Sequence, residues 1–288
     1  MDEGRPSRTA LHVALRRAAH QIYDERPLVL DDPIALRILG PHAEELARTP
    51  GSGMGRRVAT RLRPFSLGLR AHLVARSRYA EDLLGLAVAR GVRQYVLLGA
   101  GLDTFAHRNS YAELRVFEVD HPATQAWKRE LLAASGLDAP VGLTYAPVDF
   151  ERESLAEGLA AAGFDTGAPA FFAWLGVVPY LTLEAFRATV RYVAGCAPGS
   201  GVVFDYGQPR AALPLLERLA HDSLAARVGR AGEPFRLFFT PEEVRAELAG
   251  FGGIEDLGSA EINARYFAGR ADGLRVMGSA GRMVSAWL

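Results

Sequence analysis

Cysteine and lysine are nearly absent from this sequence. Its 288 residues include one cysteine, Cys196, so an internal disulfide is excluded. No Cys-x-x-Cys motif and no close histidine pair offers ligands for a metal, and we expect no metal site. Lys128 is the only lysine among 33 basic residues, so arginine supplies nearly all of the positive charge. An arginine-rich chain is suited to bind carboxylates.

The sequence also lacks net charge and long apolar runs. Basic and acidic residues number 33 each, so no overall positive field recruits nucleic acid or an anionic membrane. No apolar run approaches the roughly 18 residues that a membrane span needs, and residues 1–8 show no secretory signal. We expect a cytoplasmic protein that binds a small-molecule substrate, while its oligomeric state stays open.

The first 75 residues have helical patterning. Between residues 10 and 23, Leu11, Leu15 and Ile22 share one helical face. The pair Asp32-Pro33 predicts a cap for a short helix over 34–39, and glycine-rich residues 51–55 predict a flexible break. We therefore expect a helical N-terminal cap over residues 1–75, which covers a ligand site, and a core over residues 76–288.

From residue 94 onward, apolar runs typical of strands alternate with helical segments. This alternation predicts a mostly parallel sheet covered by helices on both faces, which is a Rossmann-like α/β fold. Two later segments are expected to close the sheet by pairing with each other. The predicted strands are 95–98, 114–119, 143–148, 170–174 and 201–206, followed by the closing segments 254–257 and 282–287.

The first predicted strand runs into a glycine loop, LGAGLDT, at residues 98–104. Gly99 and Gly101 let the backbone turn tightly and approach a ligand without interference from a Cβ atom. Alternatively, this short Gly-x-Gly motif forms a tight turn that binds no ligand.

Acidic residues end the next two predicted strands. Asp120 stands where a carboxylate usually holds a ribose diol, and strand alternation is expected to turn Glu118 to the other face. Asp149 is placed to accept from an adenine amino group, with Phe150 as a flat apolar neighbour. Both aspartates could instead cap the helices that follow them.

The last two residues of the glycine loop help to distinguish between cofactors that contain adenosine. A dinucleotide site favours glycine at the position of Thr104, so that a pyrophosphate can approach a helix N-terminus. A carboxylate at Asp103 repels phosphate but tolerates an amine and a sulfonium. This charge argument favours S-adenosylmethionine over a nicotinamide cofactor.

Four motifs together resemble the leucine carboxyl methyltransferase-like family, and especially its bacterial branch of S-adenosylmethionine-dependent O-methyltransferases. The motifs are RSRY (76–79), LGAGLDT (98–104), FEVDHP (117–122) and WLGVVPYLT (174–182). The resemblance extends to N- and C-terminal segments and so covers almost the whole chain. It implies a class I methyltransferase fold, with a seven-stranded sheet, an antiparallel last strand and an N-terminal helical cap.

The resemblance also implies roles for individual residues. An arginine ahead of the glycine loop grips the cofactor's carboxylate, which matches Arg76 best and Arg78 second. Leu175 stands where eukaryotic members carry an acid, and this departure argues against a protein C-terminus as substrate. The cofactor-binding residues expected from the motifs and the resemblance are Arg76, Arg78, Gly99, Ala100, Gly101, Asp103, Asp120, His121, Asp149, Phe150 and Trp174.

Methyl transfer requires alignment of acceptor, methyl group and sulfur more than it requires acid–base chemistry. A carboxylate acceptor is already ionised, whereas a hydroxyl needs a base. The catalytic candidates are Tyr206, Tyr180 and His20, with His107 as another possible base, and no acid–base dyad is evident. We therefore expect O-methylation of a small-molecule carboxylate or acidic hydroxyl, in specialised, polyketide-like metabolism.

Two alternatives stay open at this point. A nicotinamide-dependent oxidoreductase would share the glycine loop and the acid that follows the second strand. A non-catalytic interaction protein could keep an S-adenosylmethionine pocket and methylate nothing.

Overall fold

One seven-stranded sheet organises the described part of the chain, which in this computed structural model comprises residues 8–40, 43, 64–149, 153–230 and 234–288. The strands alternate with helices from the first strand onward, as the sequence predicts. They are β1 (Gln94–Leu98), β2 (Arg115–Asp120), β3 (Leu143–Pro147), β4 (Ala170–Trp174), β5 (Gly201–Gly207), β6 (Glu255–Leu257) and β7 (Gly281–Trp287).

Helices precede the sheet and connect its strands. Short 3-10 helices lie at Phe105–His107, Val178–Tyr180 and Arg210–Ala212. The α-helices are α1 (Arg8–Tyr23), α2 (Ile34–Leu39), α3 (Pro64–Ala89), α4 (Pro122–Ala134), α5 (Leu155–Ala161), α6 (Leu183–Ala194), α7 (Leu215–Arg230), α8 (Pro241–Glu247) and α9 (Ser259–Tyr266). No described helix is long and apolar enough to cross a bilayer.

The strand order is β3-β2-β1-β4-β5-β7-β6, with β1 to β5 parallel. The chain starts in the middle of the sheet, builds outward to β3, and then returns to place β4 on the other side of β1. The loops that follow β1 and β4 therefore diverge and leave a crevice at the carboxyl edge of the sheet. Open α/β sheets bind their ligands at such a switch point.

The antiparallel closing strands are confirmed. β7 pairs antiparallel with both β5 and β6, and Gly281 lies directly opposite Gly207. Two helices, α8 and α9, lie in the part of the chain where the sequence predicted only strands. The Thr240-Pro241 start of α8 has a capping box closed by Glu243, so a local signal for this helix was present.

Both faces of the central strands are buried, as parallel strands require. In β1, Tyr95 and Leu97 pack toward α3, while Val96 and Leu98 belong to the opposite core. A third cluster joins α1 and α2 to the loop after β1 and to α4, and its buried members are Ala14, Ala18, Ile38, Leu39, Leu102 and Leu132. The N-terminal helices are thereby packed against the carboxyl edge of the sheet.

A buried ion-pair network fixes α1 to the core. Arg17 donates to Asp103 at 2.6 Å, to Asp32 at 2.7 Å and to the Thr104 hydroxyl at 3.0 Å. The Thr104 hydroxyl in turn lies 2.7 Å from an Asp32 oxygen. Arg17 is 4% exposed and Asp32 is fully buried, so the Arg17 charge depends on its carboxylate partners for compensation. Asp32 has a second cationic partner in Arg108, at 3.1 Å.

The division into a cap over residues 1–75 and a core over residues 76–288 stays a prediction. Helix α3 runs without a break through residues 75 and 76, so one rigid element belongs to both parts. The glycine-rich stretch 51–55 lies outside the described residues.

We predict that Arg17→Met lowers the free energy of unfolding by about 3–5 kcal/mol. Asp103 and Asp32 would each lose a direct cationic partner, and only Arg108 would remain, 3.1 Å from Asp32. Urea unfolding measures this change. Arg78→Met is the matched control, since the Arg78 side chain is 48% exposed and pairs with Asp82 at the surface; it should cost less than about 1 kcal/mol. Equal losses in the two variants would contradict the role given to Arg17.

Candidate cofactor and acceptor site

The glycine loop after β1 has the backbone geometry that the sequence predicted. Gly99 and Gly101 adopt φ values of 68° and 50°, which other residues rarely tolerate. The N–H groups of Gly99 and Ala100 donate to the Val119 carbonyl at 2.8 and 3.1 Å. A Cβ atom on Gly101 would lie 3.2 Å from the Cβ of Ala10, so α1 lies directly over the loop.

Asp120 anchors this loop to the end of β2. Its carboxylate accepts the Gly101 N–H at 2.5 Å and the His121 N–H at 2.7 Å. Burial raises the pKa of Asp120, although these two N–H groups oppose the shift. A carboxylate offers about four acceptor positions, so the side chain keeps the capacity to accept two vicinal hydroxyls. This geometry suits the predicted ribose contact.

The expectation that Glu118 faces away from Asp120 is wrong. Residues two apart in a strand share a face, and Glu118 points toward α4, where Lys128 donates to it at 2.6 Å. Glu118 is fully buried and Lys128 is 1% exposed. Burial raises the pKa of Glu118, and the Lys128 ammonium opposes that shift. The only lysine of the chain thus neutralises the Glu118 charge behind Asp120.

The end of β3 lies beside the end of β2. The Val148 N–H donates to the Asp120 carbonyl at 3.0 Å, and Asp149 follows, half-buried. His121 caps α4 through its Nδ1 atom, which accepts the Ala123 N–H at 3.2 Å. Phe150, the predicted neighbour of adenine, lies outside the described residues.

Asp103 and Thr104 lie in the network that holds α1, rather than projecting into open space. Burial would raise the pKa of Asp103, but Arg17 and neighbouring cations lower that pKa to about 2. The Thr104 hydroxyl is committed to Asp32, itself a buried carboxylate. Two acids and a threonine therefore occupy the place where a pyrophosphate would approach, which speaks against the nicotinamide alternative.

Arg76 extends from α3 to the loop after β4. It donates to Asp205 at 2.8 Å, and the other Asp205 oxygen accepts the Gly176 N–H at 2.5 Å. The Arg76 guanidinium lies so close over Gly176 that a Cβ atom there would come within 2.6 Å of it. Asp205 is the only acceptor for this guanidinium among the described residues, so most of its N–H groups remain available to a ligand carboxylate.

Two predicted cofactor residues lie apart from this group. Arg78 faces the surface, where it pairs with Asp82. Trp174 is 3% exposed and stacks on Phe186, with ring centroids 5.5 Å apart, in the core below α6. The structure brings Arg76, Gly101 and Asp120 to one edge of the sheet, but not these two side chains.

The polar atoms of two catalytic candidates are held by partners inside the protein. His20 is fully buried; its Nδ1 lies 2.7 Å from Asp24, and its Nε2 accepts the Leu30 N–H at 3.3 Å. The Tyr206 hydroxyl donates to Asp256 at 2.8 Å, and burial together with this carboxylate raises the pKa of Tyr206 well above its usual value. Neither residue is placed to take a proton from an acceptor.

Tyr180 belongs to an aromatic group that lies beyond the ends of β4 and β5. Its ring lies 5.3 Å from Phe235, which lies 6.2 Å from Phe238. Phe238 packs over Gly207, where a Cβ atom would lie 3.1 Å from the ring, and His221 lies 5.4 Å from Phe238. These aromatic rings form one wall beside the carboxyl edge of the sheet.

His72 is a site residue that the sequence analysis missed. It lies one helical turn before Arg76 in α3, and its Nε2 is 3.5 Å from the Asp205 carboxylate. The spacing of four residues, which puts both side chains on one face of a helix, was the available signal. The partner Asp205 could not be identified without the tertiary fold.

We predict that acid destabilises the protein partly through Asp103. Its pKa is lower in the folded chain, so its contribution is complete above pH 4 and is lost as pH falls toward 2. Between about pH 5 and pH 2 this loss amounts to about 2 kcal/mol in the free energy of unfolding. Asp103→Asn should remove that part of the pH dependence, measured by urea unfolding, whereas Asp31→Asn at an exposed position should keep it. An unchanged slope in Asp103→Asn would refute the assignment.

Comparison with known proteins gives a consistent result. The family model described as leucine carboxyl methyltransferase matches residues 10–194, which is more than half of the chain. A Bacillus subtilis protein, provisionally named as an S-adenosyl-L-methionine-dependent methyltransferase, is 33% identical over 301 aligned positions and covers 95% of both chains. A similarly named protein of Saccharopolyspora erythraea is 37% identical over 208 positions, which cover 68% of this chain and 66% of that protein.

Solved structures share the fold at low identity. A provisionally assigned methyltransferase from Thermobifida fusca matches with a TM-score of 0.58 and 18% identity, and the match covers 99% of this chain and 96% of that one. A DUF574 family protein from Streptomyces avermitilis gives a TM-score of 0.55 and 21% identity over 88% and 95% of the two chains. Family model, relatives and site geometry agree: the chain belongs to the leucine carboxyl methyltransferase family and is an S-adenosylmethionine-dependent methyltransferase.

Proposed function

We propose that this methyltransferase transfers the methyl group to an oxygen atom of a small molecule, either a carboxylate or an acidic hydroxyl. The proposal rests on the hydrogen bonds of His20 and Tyr206. The ring nitrogens of His20 are held by Asp24 and the Leu30 N–H, and the Tyr206 hydroxyl donates to Asp256. Since neither residue can serve as the base, the acceptor either arrives ionised, as a carboxylate does, or gives its proton to another group.

The residues at the carboxyl edge fit S-adenosylmethionine. The Arg76 guanidinium can hold the carboxylate of the amino-acid part, since one fork of N–H donors matches two oxygens. Gly99 and Gly101 allow close approach of the backbone, and Asp120 can accept both ribose hydroxyls. The Asp149 position, beside Asp120 at the strand ends, suits an adenine amino group.

When bound, the cofactor supplies a methyl group on a positively charged sulfur. The chain's own contribution is to orient the two reactants and exclude water, and such alignment can supply about 7–11 kcal/mol of the barrier. α1 contributes to this exclusion because Ala10 lies over Gly101. The covered site favours a small acceptor over a nucleic acid or a membrane lipid.

The family description supports transfer to oxygen, since a carboxyl methyltransferase forms an ester. Leu175 occupies the position at which eukaryotic members carry an acid, and this favours a small acceptor over a protein C-terminus. A role in specialised, polyketide-like metabolism and a cytoplasmic location belong to the same proposal.

We predict that Arg76→Lys weakens S-adenosylmethionine binding by about 10- to 100-fold, because a charge-assisted fork of hydrogen bonds contributes about 1.5–3 kcal/mol. Isothermal titration calorimetry measures the Kd. Lysine keeps the positive charge beside Asp205, so loss of the fold does not explain the effect. Arg78→Lys should bind as tightly as the unaltered protein, and an equal loss there would contradict the choice of Arg76.

The function is tested with S-adenosylmethionine carrying a radiolabelled methyl group and a library of aromatic acids, phenols and amines. We expect label on an acid or a phenol. A methyl ester releases its label in mild base, whereas a methyl ether or amine keeps it. Tight cofactor binding without transfer to any acceptor would instead favour the non-catalytic alternative, and label on amines alone would overturn O-methylation.

A further inference from the structure

His72, Asp205 and Arg76 form a cluster at the carboxyl end of β5. Helix α3 leads into the start of β1, so its earlier turns lie toward the carboxyl edge of the sheet, where ligands bind. His72 lies four residues, about 6 Å along the helix axis, closer to that edge than Arg76. If Arg76 holds the cofactor's carboxylate, His72 faces the region beyond it.

The position of the His72 ring is set by a glycine in β7. A Cβ atom on Gly281 would lie 3.0 Å from Cε1 of His72, so the ring fits closely against the glycine backbone and a larger residue there would displace it. Nε2 faces Asp205 at 3.5 Å. No described residue hydrogen-bonds to Nδ1, and the side chain is 14% exposed. The ring thus has one nitrogen oriented by a carboxylate and the other available to a ligand.

The aromatic wall lies next to this histidine. Gly207 and Gly281 are directly paired across β5 and β7, so their missing side chains would point to the same face of the sheet. Phe238 covers Gly207 just as His72 covers Gly281. An acceptor between them would meet a polar ring nitrogen on one side and apolar rings, from Phe238 to Tyr180, on the other.

We propose that His72, oriented by Asp205, is the general base of this enzyme and that the acceptor is an aromatic hydroxyl, a phenol rather than a carboxylate. The inference rests on the proposed function and narrows it. A carboxylate acceptor has no proton to give up and no use for a histidine–aspartate dyad. A phenol has both a proton for Nδ1 and a flat ring for the aromatic wall.

The step balances in atoms and charge. The hydroxyl proton moves to Nδ1 of His72 as the oxygen forms its bond to the methyl carbon. The bond between methyl and sulfur breaks, and its electron pair stays on sulfur, which becomes a neutral thioether. Asp205 stabilises the imidazolium that results, and the proton later passes to solvent. The 3.5 Å separation of Nε2 and Asp205 is typical of a dyad that tightens when substrate binds.

Two other histidines are less suited to this role. Both nitrogens of His20 have partners inside the protein. His107 follows the glycine loop, where burial and the nearby Lys128 lower its pKa. Asp205 of β5 lies 3.5 Å from His72, Arg76 of the same helix as His72 pairs with that carboxylate, and β7 contributes Gly281.

The test compares His72→Gln with the unaltered enzyme on 4-methylphenol and benzoate, using radiolabelled cofactor. We expect transfer to 4-methylphenol to fall by about 100- to 1,000-fold at neutral pH, since general bases contribute about 10²–10⁴. The variant's rate should then rise about tenfold per pH unit toward the phenol's own pKa, near 10. His12→Gln, at an exposed position in α1, is the matched control and should behave like the unaltered enzyme.

A binding measurement gives a second readout that is independent of turnover. 4-Nitrophenol absorbs visible light only when ionised, and it is titrated into each protein with S-adenosylhomocysteine present. The unaltered protein should bind it as the phenolate at a pH about one unit lower than His72→Gln does. The Kd of S-adenosylmethionine should agree within about twofold between the two proteins, which separates loss of the base from misfolding.

Several outcomes would overturn the inference. Methylation of benzoate but of no phenol would agree with the proposed function and contradict the phenol as acceptor. If the rates with both acceptors fell equally in His72→Gln, or if neither rate fell, the role of His72 as general base would be contradicted. Failure of the proposed function looks different, because the unaltered enzyme would then label no oxygen acceptor at all, and both proposals would be abandoned.

Discussion

The Asp205 carboxylate holds together the three elements that build the site. It receives Arg76 from α3 and the Gly176 N–H from the loop after β4, and it extends from β5 itself. Burial alone would raise the pKa of Asp205, but Arg76, His72 and the Gly176 N–H together hold that pKa well below its usual range. The carboxylate therefore stays ionised inside the protein, and its charge fixes the positions of Arg76 and His72.

A second buried network has the corresponding role on the other side of the glycine loop. Arg17 joins α1 to Asp103 and Asp32, and Ala10 of the same helix covers Gly101. The loop is thus held from below by Asp120 and from above by α1. Because buried charges tolerate little displacement without losing their compensation, the N-terminal helix is a defined wall of the site rather than a loose covering.

Features of the site that depend on chain order alone could be predicted from the sequence. The carboxyl ends of parallel strands lie at a common edge of the sheet. The order of the predicted strands was therefore enough to predict that the glycine loop after β1 and Asp120 at the end of β2 lie close together. The short apolar runs separated by helical segments also predicted every strand. These inferences needed only local periodicity and a rule about connections.

The rest depended on contacts between distant segments. Arg76 and Asp205 are separated by 129 residues, and nothing local distinguishes Arg76, which is buried, from Arg78, which is exposed. The same holds for Arg17, whose partners lie on a turn and on the glycine loop. Tyr206 was a catalytic candidate from the sequence, but its buried partner Asp256 comes near it only when the closing strands are in place. The partner of His20 differs, because Asp24 lies four residues further along the chain and that spacing was visible in the sequence.

The buried pair of Lys128 and Glu118 has a practical consequence for handling the protein. The chain contains no other lysine, and this one is 1% exposed with its ammonium held by a carboxylate. The native surface therefore presents no side-chain amine to acylating dyes, crosslinkers or coupling resins. Acylation of Lys128 becomes a direct signal that α4 has separated from the sheet, and it offers a way to follow opening of the cofactor side of the molecule in time.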